Sequence, residues 1–157
     1  MTRAFLLGLA IAIAPLSACS NGEEVAEASR QIETVPLIDP NTATEAELAA
    51  VDGIDNSLAT AIVANRPYSD SRSFYRVVSA GLDGEARDGV LDAVFMPLSL
   101  NSAAEDDFKM IPGIGDRMAH EFVEYRPYGS IAQWEGEMGK YVDAAEVARM
   151  RRYVVLD

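Results

Sequence analysis

After residue 40, apolar and polar positions follow a helical period in short runs that end at glycine, proline or aspartate. Residues 56–66, "NSLATAIVANR", place their apolar side chains three and four positions apart, which is the spacing of one helix face. Pro67 ends that run, because the residue before a proline avoids the helical region. Alternation of β-branched residues is no longer than "YVVL" near residue 155. The pattern predicts an all-α fold.

The pattern returns after 60 positions without a gap. "VDGI" at 51–54 matches "IPGI" at 111–114, and "RPY" at 66–68 matches "RPY" at 126–128. Many matches at one offset indicate a tandem duplication. We call residues 41–100 copy 1 and residues 101–157 copy 2. We expect each copy to form four short helices and the two copies to pack together as one compact unit. Aromatic residues at matched positions, which we expect to pack in the core, are Tyr68, Phe74, Tyr128 and Trp134.

The start of the chain has the features of a secretory signal. A short positive start, "MTR", precedes an apolar run that is too short to span a bilayer. The following Leu16-Ser17-Ala18-Cys19 resembles a bacterial lipobox, in which Cys19 becomes the lipidated first residue. We therefore expect a lipoprotein signal peptide at 1–18, a flexible acidic tether at 19–40, and a lipid-anchored protein facing the periplasm. The alternative for Cys19 is a buried free thiol.

Acidic side chains outnumber basic ones throughout the chain. The chain has 25 aspartates and glutamates against 13 lysines and arginines, a net charge of −12. Nucleic-acid-binding proteins more often carry a basic surplus, because phosphate neutralisation supplies most of their non-specific affinity. The densest cations, Arg149, Arg151 and Arg152, either complement a helix C-terminus or form a footprint for DNA or anionic lipid. The charge therefore counts against a nucleic-acid partner.

The segment "IPGIGDRMA", residues 111–119, lies between two predicted helices. It resembles the helix-hairpin-helix motif, whose pattern is apolar-Pro-Gly-apolar-Gly-x-x-x-Ala. Its surroundings, "LNSAAEDDFKMIPGIGDRMAHEFVEYRPYGSI", resemble the ComEA-type competence proteins, and "DPNTATEAELAAVDGIDNSLATAIVANRPY" of copy 1 resembles them almost as well. The resemblance covers residues 39–157 and implies two hairpins in each copy.

Members of this family hold the phosphates of double-stranded DNA at such a hairpin, without reading sequence. Backbone N–H groups ahead of a helix N-terminus suit an anion, and glycines let the chain turn there. The resemblance implies that Gly113, Ile114 and Gly115 supply amide donors, with Arg117 and Lys109 as nearby cations. We expect the Ile114 side chain to point into the core.

The other three predicted hairpins depart from the motif. In copy 1, Asp52 and Asp55 replace the proline and the second glycine. A carboxylate ~4 Å from a phosphate costs about 1 kcal/mol in water and about 4 at an effective dielectric near 20. One amide hydrogen bond contributes only about 0.5–1.5 kcal/mol net. We therefore expect structural turns at Gly53, at Gly81-Leu82-Asp83 and at Gly139-Lys140-Tyr141.

The residues indicate neither catalysis nor a cofactor. Helix-hairpin-helix DNA glycosylases use a lysine soon after the hairpin, but the matching residue, Arg117, stays protonated. His120 is the single histidine and fits a surface or packing role. The acids Glu105-Asp106-Asp107 suit the start of a helix, and no His/Cys cluster has metal-ligand spacing.

Two functions remain open. One is a membrane-tethered module that captures double-stranded DNA, as ComEA does in competence. The alternative is a protein-interaction or scaffolding module. The photosystem extrinsic subunit PsbU is similar in this respect, since its degenerate helix-hairpin-helix units bind protein. The partner is then an unidentified protein.

Overall fold

The computed structural model describes residues 36–157. The predicted signal peptide, the predicted lipidation site Cys19 and most of the predicted tether lie outside the described residues. In the described part of the chain, no helix has both the length and the apolar character needed to cross a membrane.

Helices dominate residues 36–157, and the predicted all-α class is confirmed. The helices are α1 Glu45–Ala49, α2 Asn56–Ala64, α3 Ser71–Gly81, α4 Gly84–Ala93, α5 Glu105–Phe108, α6 Asp116–Glu124, α7 Ile131–Met138 and α8 Ala144–Arg151. The strands β1 Leu98–Ser99 and β2 Val154–Val155 form a two-stranded parallel sheet. The second strand lies in the "YVVL" segment.

Side-chain caps mark where several helices begin. Thr44 precedes α1, and its hydroxyl accepts a hydrogen bond from the Glu47 N–H at 3.1 Å. The Glu47 carboxylate accepts the Thr44 N–H in return at 2.7 Å, which lowers the pKa of Glu47. Asp143 caps α8 by accepting from the Glu146 N–H at 2.9 Å. The reciprocal bond is absent there, because the Glu146 carboxylate binds Arg149 instead.

The core is one continuous cluster of buried side chains that draws on both copies. The aromatic residues at matched positions are all inside it, as predicted. Phe74 and Trp134 are fully buried, and Tyr68 and Tyr128 are 5% and 2% exposed. The tilted rings of Trp134 and Phe122 lie 5.4 Å apart, and Tyr68 meets Phe74 edge-on at the same distance.

The same hydrogen bonds occur 60 positions apart. The Asn41 amide donates to the Tyr68 carbonyl at 3.1 Å and accepts from its N–H at 2.8 Å. Asn101 and Tyr128 make the identical pair of bonds at the same distances. Each asparagine thus ties the start of its copy to the turn that follows the second helix.

The segment just ahead of each copy lies beside the end of that copy. Ile38 forms a parallel bridge with Val94, and 60 positions later Leu98 pairs with Val154 in β1 and β2. The Ile38 N–H donates to the carbonyl of Ala93 at 2.8 Å, and the Leu98 N–H donates to that of Tyr153 at 2.7 Å. The segment that leads into each copy therefore pairs with the segment that ends it.

The end of copy 2 packs against α4 of copy 1. The buried ring of Tyr153 meets Phe95 edge-on at 5.2 Å, and its hydroxyl donates to the Asp92 carboxylate. Arg152 donates to the Asp92 carbonyl at 3.0 Å. Burial, followed by the bond to Asp92, raises the pKa of Tyr153 well above its ordinary value.

Candidate functional site

The turn that we call the Gly113 turn, residues 111–115, joins α5 to α6. Gly113 has a φ of +77°, in the left-handed region that a Cβ disfavours. Gly115 has an ordinary φ of −94°, and a Cβ there would have no atom within 4 Å. The backbone therefore requires glycine at position 113 and does not require it at position 115.

Ile114 lies in the middle of the turn, and its side chain is buried as predicted. Its N–H, however, donates to the Ile111 carbonyl at 3.1 Å. The prediction that Ile114 supplies a free amide is therefore wrong, because the tight turn uses that group to close itself. Gly113 and Gly115, the other two predicted donors, are exposed.

The start of α6 carries no side-chain cap, because its N-cap residue is Gly115. The matching position in copy 1 is Asp55, the N-cap of α2. Its carboxylate accepts the Leu58 N–H at 2.8 Å. In copy 1 the start of α2 is therefore occupied by a carboxylate of the chain itself. Copy 2 leaves the equivalent place open, and helix N-termini attract external anions.

The two predicted cations of the site differ in their surroundings. Lys109 binds the carboxylates of Asp106 and Asp116, each at 2.8 Å, and these two bonds raise its pKa. Lys109 is therefore already neutralised by its neighbours. The sequence analysis placed Lys109 near the hairpin as a cation but did not predict these two ion pairs. Arg117 is exposed in the first turn of α6 and has no carboxylate partner among residues 36–157.

A third cation, Arg149 of α8, lies near the Gly113 turn, although the sequence analysis did not assign it to this turn. A Cβ built on Gly113 would lie 3.4 Å from the Arg149 guanidinium. That guanidinium binds Glu146 through two bonds of 2.7 and 2.8 Å and lies 3.7 Å from Asp92. The hydrogen bond to Glu146 is the main reason why the pKa of Arg149 is raised.

The remaining turns have simpler structural roles. Gly53 repeats the left-handed backbone at a φ of +86°, and a Cβ there would come within 3.2 Å of Val90. Gly81 is the last residue of α3, and Gly139 is the C-cap of α7. A Cβ on Gly139 would press on the Glu135 carbonyl at 3.2 Å.

The histidine and the acidic run singled out in the sequence lie in α6 and α5. His120 is exposed, and its Nδ1 lies 3.3 Å from Glu105. The acids Glu105, Asp106 and Asp107 form the first turn of α5. In the part of the chain that the structure covers, no group of three or more potential metal ligands is present.

A comparison of the chain with protein-family models, curated proteins and solved structures found no match.

Proposed function

We propose that the chain is a non-enzymatic tandem helix-hairpin-helix protein whose second copy holds the backbone of double-stranded DNA without reading its sequence. The Gly113 turn between α5 and α6 is the proposed contact, with Arg117 beside it. A lipid anchor at Cys19 would hold this module at the cell envelope, facing the periplasm, in a ComEA-like role in DNA capture. The hydrogen bonds that recur 60 positions apart support the tandem arrangement.

One observation carries the DNA proposal: α6 starts without a cap, whereas α2 starts on the Asp55 carboxylate. Unpaired N–H groups and the helix dipole favour a phosphate at an open start. Gly115 leaves room for the phosphate to approach, because nothing lies within 4 Å of its missing Cβ. Arg117 adds a positive charge that no carboxylate among residues 36–157 neutralises.

The charge of the surroundings limits the strength of this contact. Asp106 and Asp116 flank the turn, so only a small number of phosphates can be neutralised there. If two phosphates are contacted, the affinity should fall about tenfold between about 50 and 200 mM salt, at a log–log slope of roughly −0.9 per phosphate. We expect weak binding that is measurable only at low salt.

Gly115→Asp tests the proposal directly, because it gives copy 2 the residue that copy 1 has. We expect the variant to lose binding to a labelled duplex in fluorescence anisotropy at low salt. Gly115→Ala is the matched control and should keep binding. Both variants should unfold within about 0.5 kcal/mol of the wild type: aspartate is a slightly better cap than glycine, and in Gly115→Ala the weaker cap is largely offset by the lower entropy of the unfolded chain.

Arg117→Ala should weaken binding to all duplex sequences alike and reduce the salt slope by about 1. A wild-type protein that does not bind duplex DNA at about 50 mM salt would overturn the proposal. So would a Gly115→Asp variant that binds as well as the wild type does.

A protein-interaction or scaffolding module, as in PsbU, is the second candidate. It is favoured by the groups that are already occupied: the Ile114 N–H, the Lys109 ammonium and the start of α2. Each of these would otherwise be available to a phosphate. Failure of the DNA titration with a folded protein would leave this candidate.

The anchor has its own test. Cys19→Ala should move the protein from the membrane fraction to the soluble fraction after cell lysis, because the lipid chains can no longer be attached. A variant that stays with the membranes would contradict lipidation at Cys19.

A further inference from the structure

Copy 1 has an open cleft of about 360 Å³ between the turn at Gly53 and the end of α3. Asp55 and Ser57 lie on its edge. The rest of its lining is small or aliphatic: Leu58, Ala61, Val77, Ala80, Gly81 and Leu82.

Copy 2 carries larger polar side chains at the matching positions. Glu121 stands where copy 1 has Ala61, Lys140 matches Ala80, and Tyr141 matches Gly81. Glu121 is buried, and the hydroxyl of Tyr141 lies 2.7 Å from that of Tyr125. The Lys140 ammonium lies 5.4 Å from the centre of the Tyr125 ring. Copy 1 has three small residues where copy 2 has this cluster, and these residues leave room for the cleft.

The charge around the cleft is acidic. Asp55 lines it, and the exposed Asp52 and Asp83 come immediately before Gly53 and after Leu82. No lysine or arginine belongs to the lining. Such a rim repels phosphate and attracts a basic segment, while the apolar floor favours burial of an apolar side chain.

We propose that this cleft binds one large apolar side chain of a partner protein, from a segment in which lysine or arginine flanks that side chain. The apolar residue enters between Leu58, Val77 and Leu82, and the flanking cations face Asp55 and its acidic neighbours. Small residues at positions 61, 80 and 81 keep the entrance open. The cleft gives the proposed protein-interaction module a binding site. This proposal does not depend on DNA binding by copy 2.

Methyl NMR of the protein, recorded during titration with short synthetic peptides, tests the proposal. A peptide with a central leucine flanked by lysines should shift the methyl signals of Leu58, Val77 and Leu82. Replacing its lysines by glutamates, or its leucine by alanine, should weaken binding at least tenfold. The absence of shifts with the lysine-flanked peptide, or equal shifts with the glutamate-flanked one, would overturn the proposal.

Gly81→Tyr gives the cleft the residue that copy 2 has and should fill it. The substitution is compatible with the helix, because Gly81 has nothing within 4 Å of a Cβ and no positive φ. Gly89→Tyr is the matched control: Gly89 is also helical, equally open, and outside the cleft. Peptide binding should fall at least tenfold in Gly81→Tyr and stay unchanged in Gly89→Tyr.

Duplex DNA separates this proposal from the earlier one. Gly81→Tyr should leave the anisotropy titration with DNA unchanged, and Gly115→Asp should leave peptide binding unchanged. If DNA shifts the methyl signals of Leu58, Val77 and Leu82, the cleft is a nucleic-acid surface and the peptide proposal is wrong. If Gly81→Tyr folds and still binds the peptide normally, the proposal is also wrong.

Discussion

Asp55 and Gly115 hold the same place in the two copies, yet the starts of their helices differ in what they can bind. The Asp55 carboxylate satisfies the Leu58 N–H and completes the helix from within. With glycine at this position, the unfolded chain has more conformational freedom and α6 lacks a side-chain cap. Both effects lower the stability of the folded protein slightly. Under the proposed function, this small loss of stability accompanies a helix start that is left open for a phosphate.

The two glycines of the Gly113 turn should differ in their effect on stability. We expect Gly113→Ala to lower the free energy of unfolding by about 1–2 kcal/mol, because the left-handed backbone at φ +77° strains any residue with a Cβ. Gly115→Ala should change it by less than about 0.5 kcal/mol, because the weaker N-cap and the lower entropy of the unfolded chain largely offset each other. Urea denaturation monitored by circular dichroism measures both, and equal losses in the two variants would contradict the structural assignment.

The sequence predicted part of this turn. The pattern of the motif located both glycines, and the apolar character of Ile114 indicated an inward side chain. It did not show that the Ile114 N–H closes the turn, because hydrogen bonding depends on the backbone path and not on residue type. The proximity of Arg149 was also not predicted, because that residue comes from α8 and reaches the turn only through tertiary packing.

At the scale of the elements, short helices depend on the links between them. The shortest, α1 and α5, have 5 and 4 residues and are too short to be stable alone. Asn101 holds the segment before α5 to the segment after α6 through its two bonds to Tyr128. Such bonds fix the angle at which α5 and α6 present the Gly113 turn.

Asn101→Ala should destabilise the protein by about 2 kcal/mol, because it leaves the Tyr128 N–H and carbonyl without their partner in a partly buried place. The control is Asn65→Ala, which removes a single exposed bond to the Ala61 carbonyl and should cost about 0.5 kcal/mol or less. Thermal unfolding of the two variants gives the comparison. A similar loss in both would show that the link through Asn101 contributes little.

Helix positions could be predicted from apolar spacing and from the prolines that end two of the runs. The short parallel strands could not be predicted as a pair. Leu98–Ser99 has only two residues, so it has no alternation to recognise, and its partner lies at the far end of copy 2. The pairing depends on where the helices of copy 2 bring its last residues relative to the segment that leads into it.

At the scale of the whole molecule, buried tyrosines join the elements and the two copies. Tyr153 connects copy 2 to Asp92, and the Tyr128 hydroxyl donates to the Glu121 carbonyl at 3.3 Å. Burial raises the pKa of Tyr128 to about 12 from an ordinary value of 10.0. The pKa of Tyr153 is raised as well.

These shifts predict a loss of stability at alkaline pH. The unfolded chain releases its tyrosine protons near pH ~10, whereas the folded chain keeps the Tyr128 proton until pH is about 12. Between these values the unfolded state binds fewer protons, so stability should be complete below pH ~10 and decline as pH rises towards about 12. Thermal melts across this range, with tyrosinate absorbance recorded in parallel, measure the effect.

The control for the alkaline prediction is Tyr128→Phe, which removes one titrating group and keeps the ring. Its melting temperature should decline less steeply with pH than that of the wild type. A wild-type profile that is flat across the same range, or an identical decline in Tyr128→Phe, would contradict the role given to Tyr128.

The pairing of Ile38 with the segment after α4 has a mechanical consequence. Two hydrogen bonds join them: the Ile38 N–H donates to Ala93, and the Ile38 carbonyl accepts from Phe95. The segments run parallel, so tension between the chain ahead of Pro36 and copy 2 draws them in opposite directions along their length. Both hydrogen bonds are then loaded in shear and carry the force at the same time, instead of breaking one after the other. As long as these two bonds hold, a load applied at the amino-terminal end would pass through them to copy 2 and bypass the helices of copy 1.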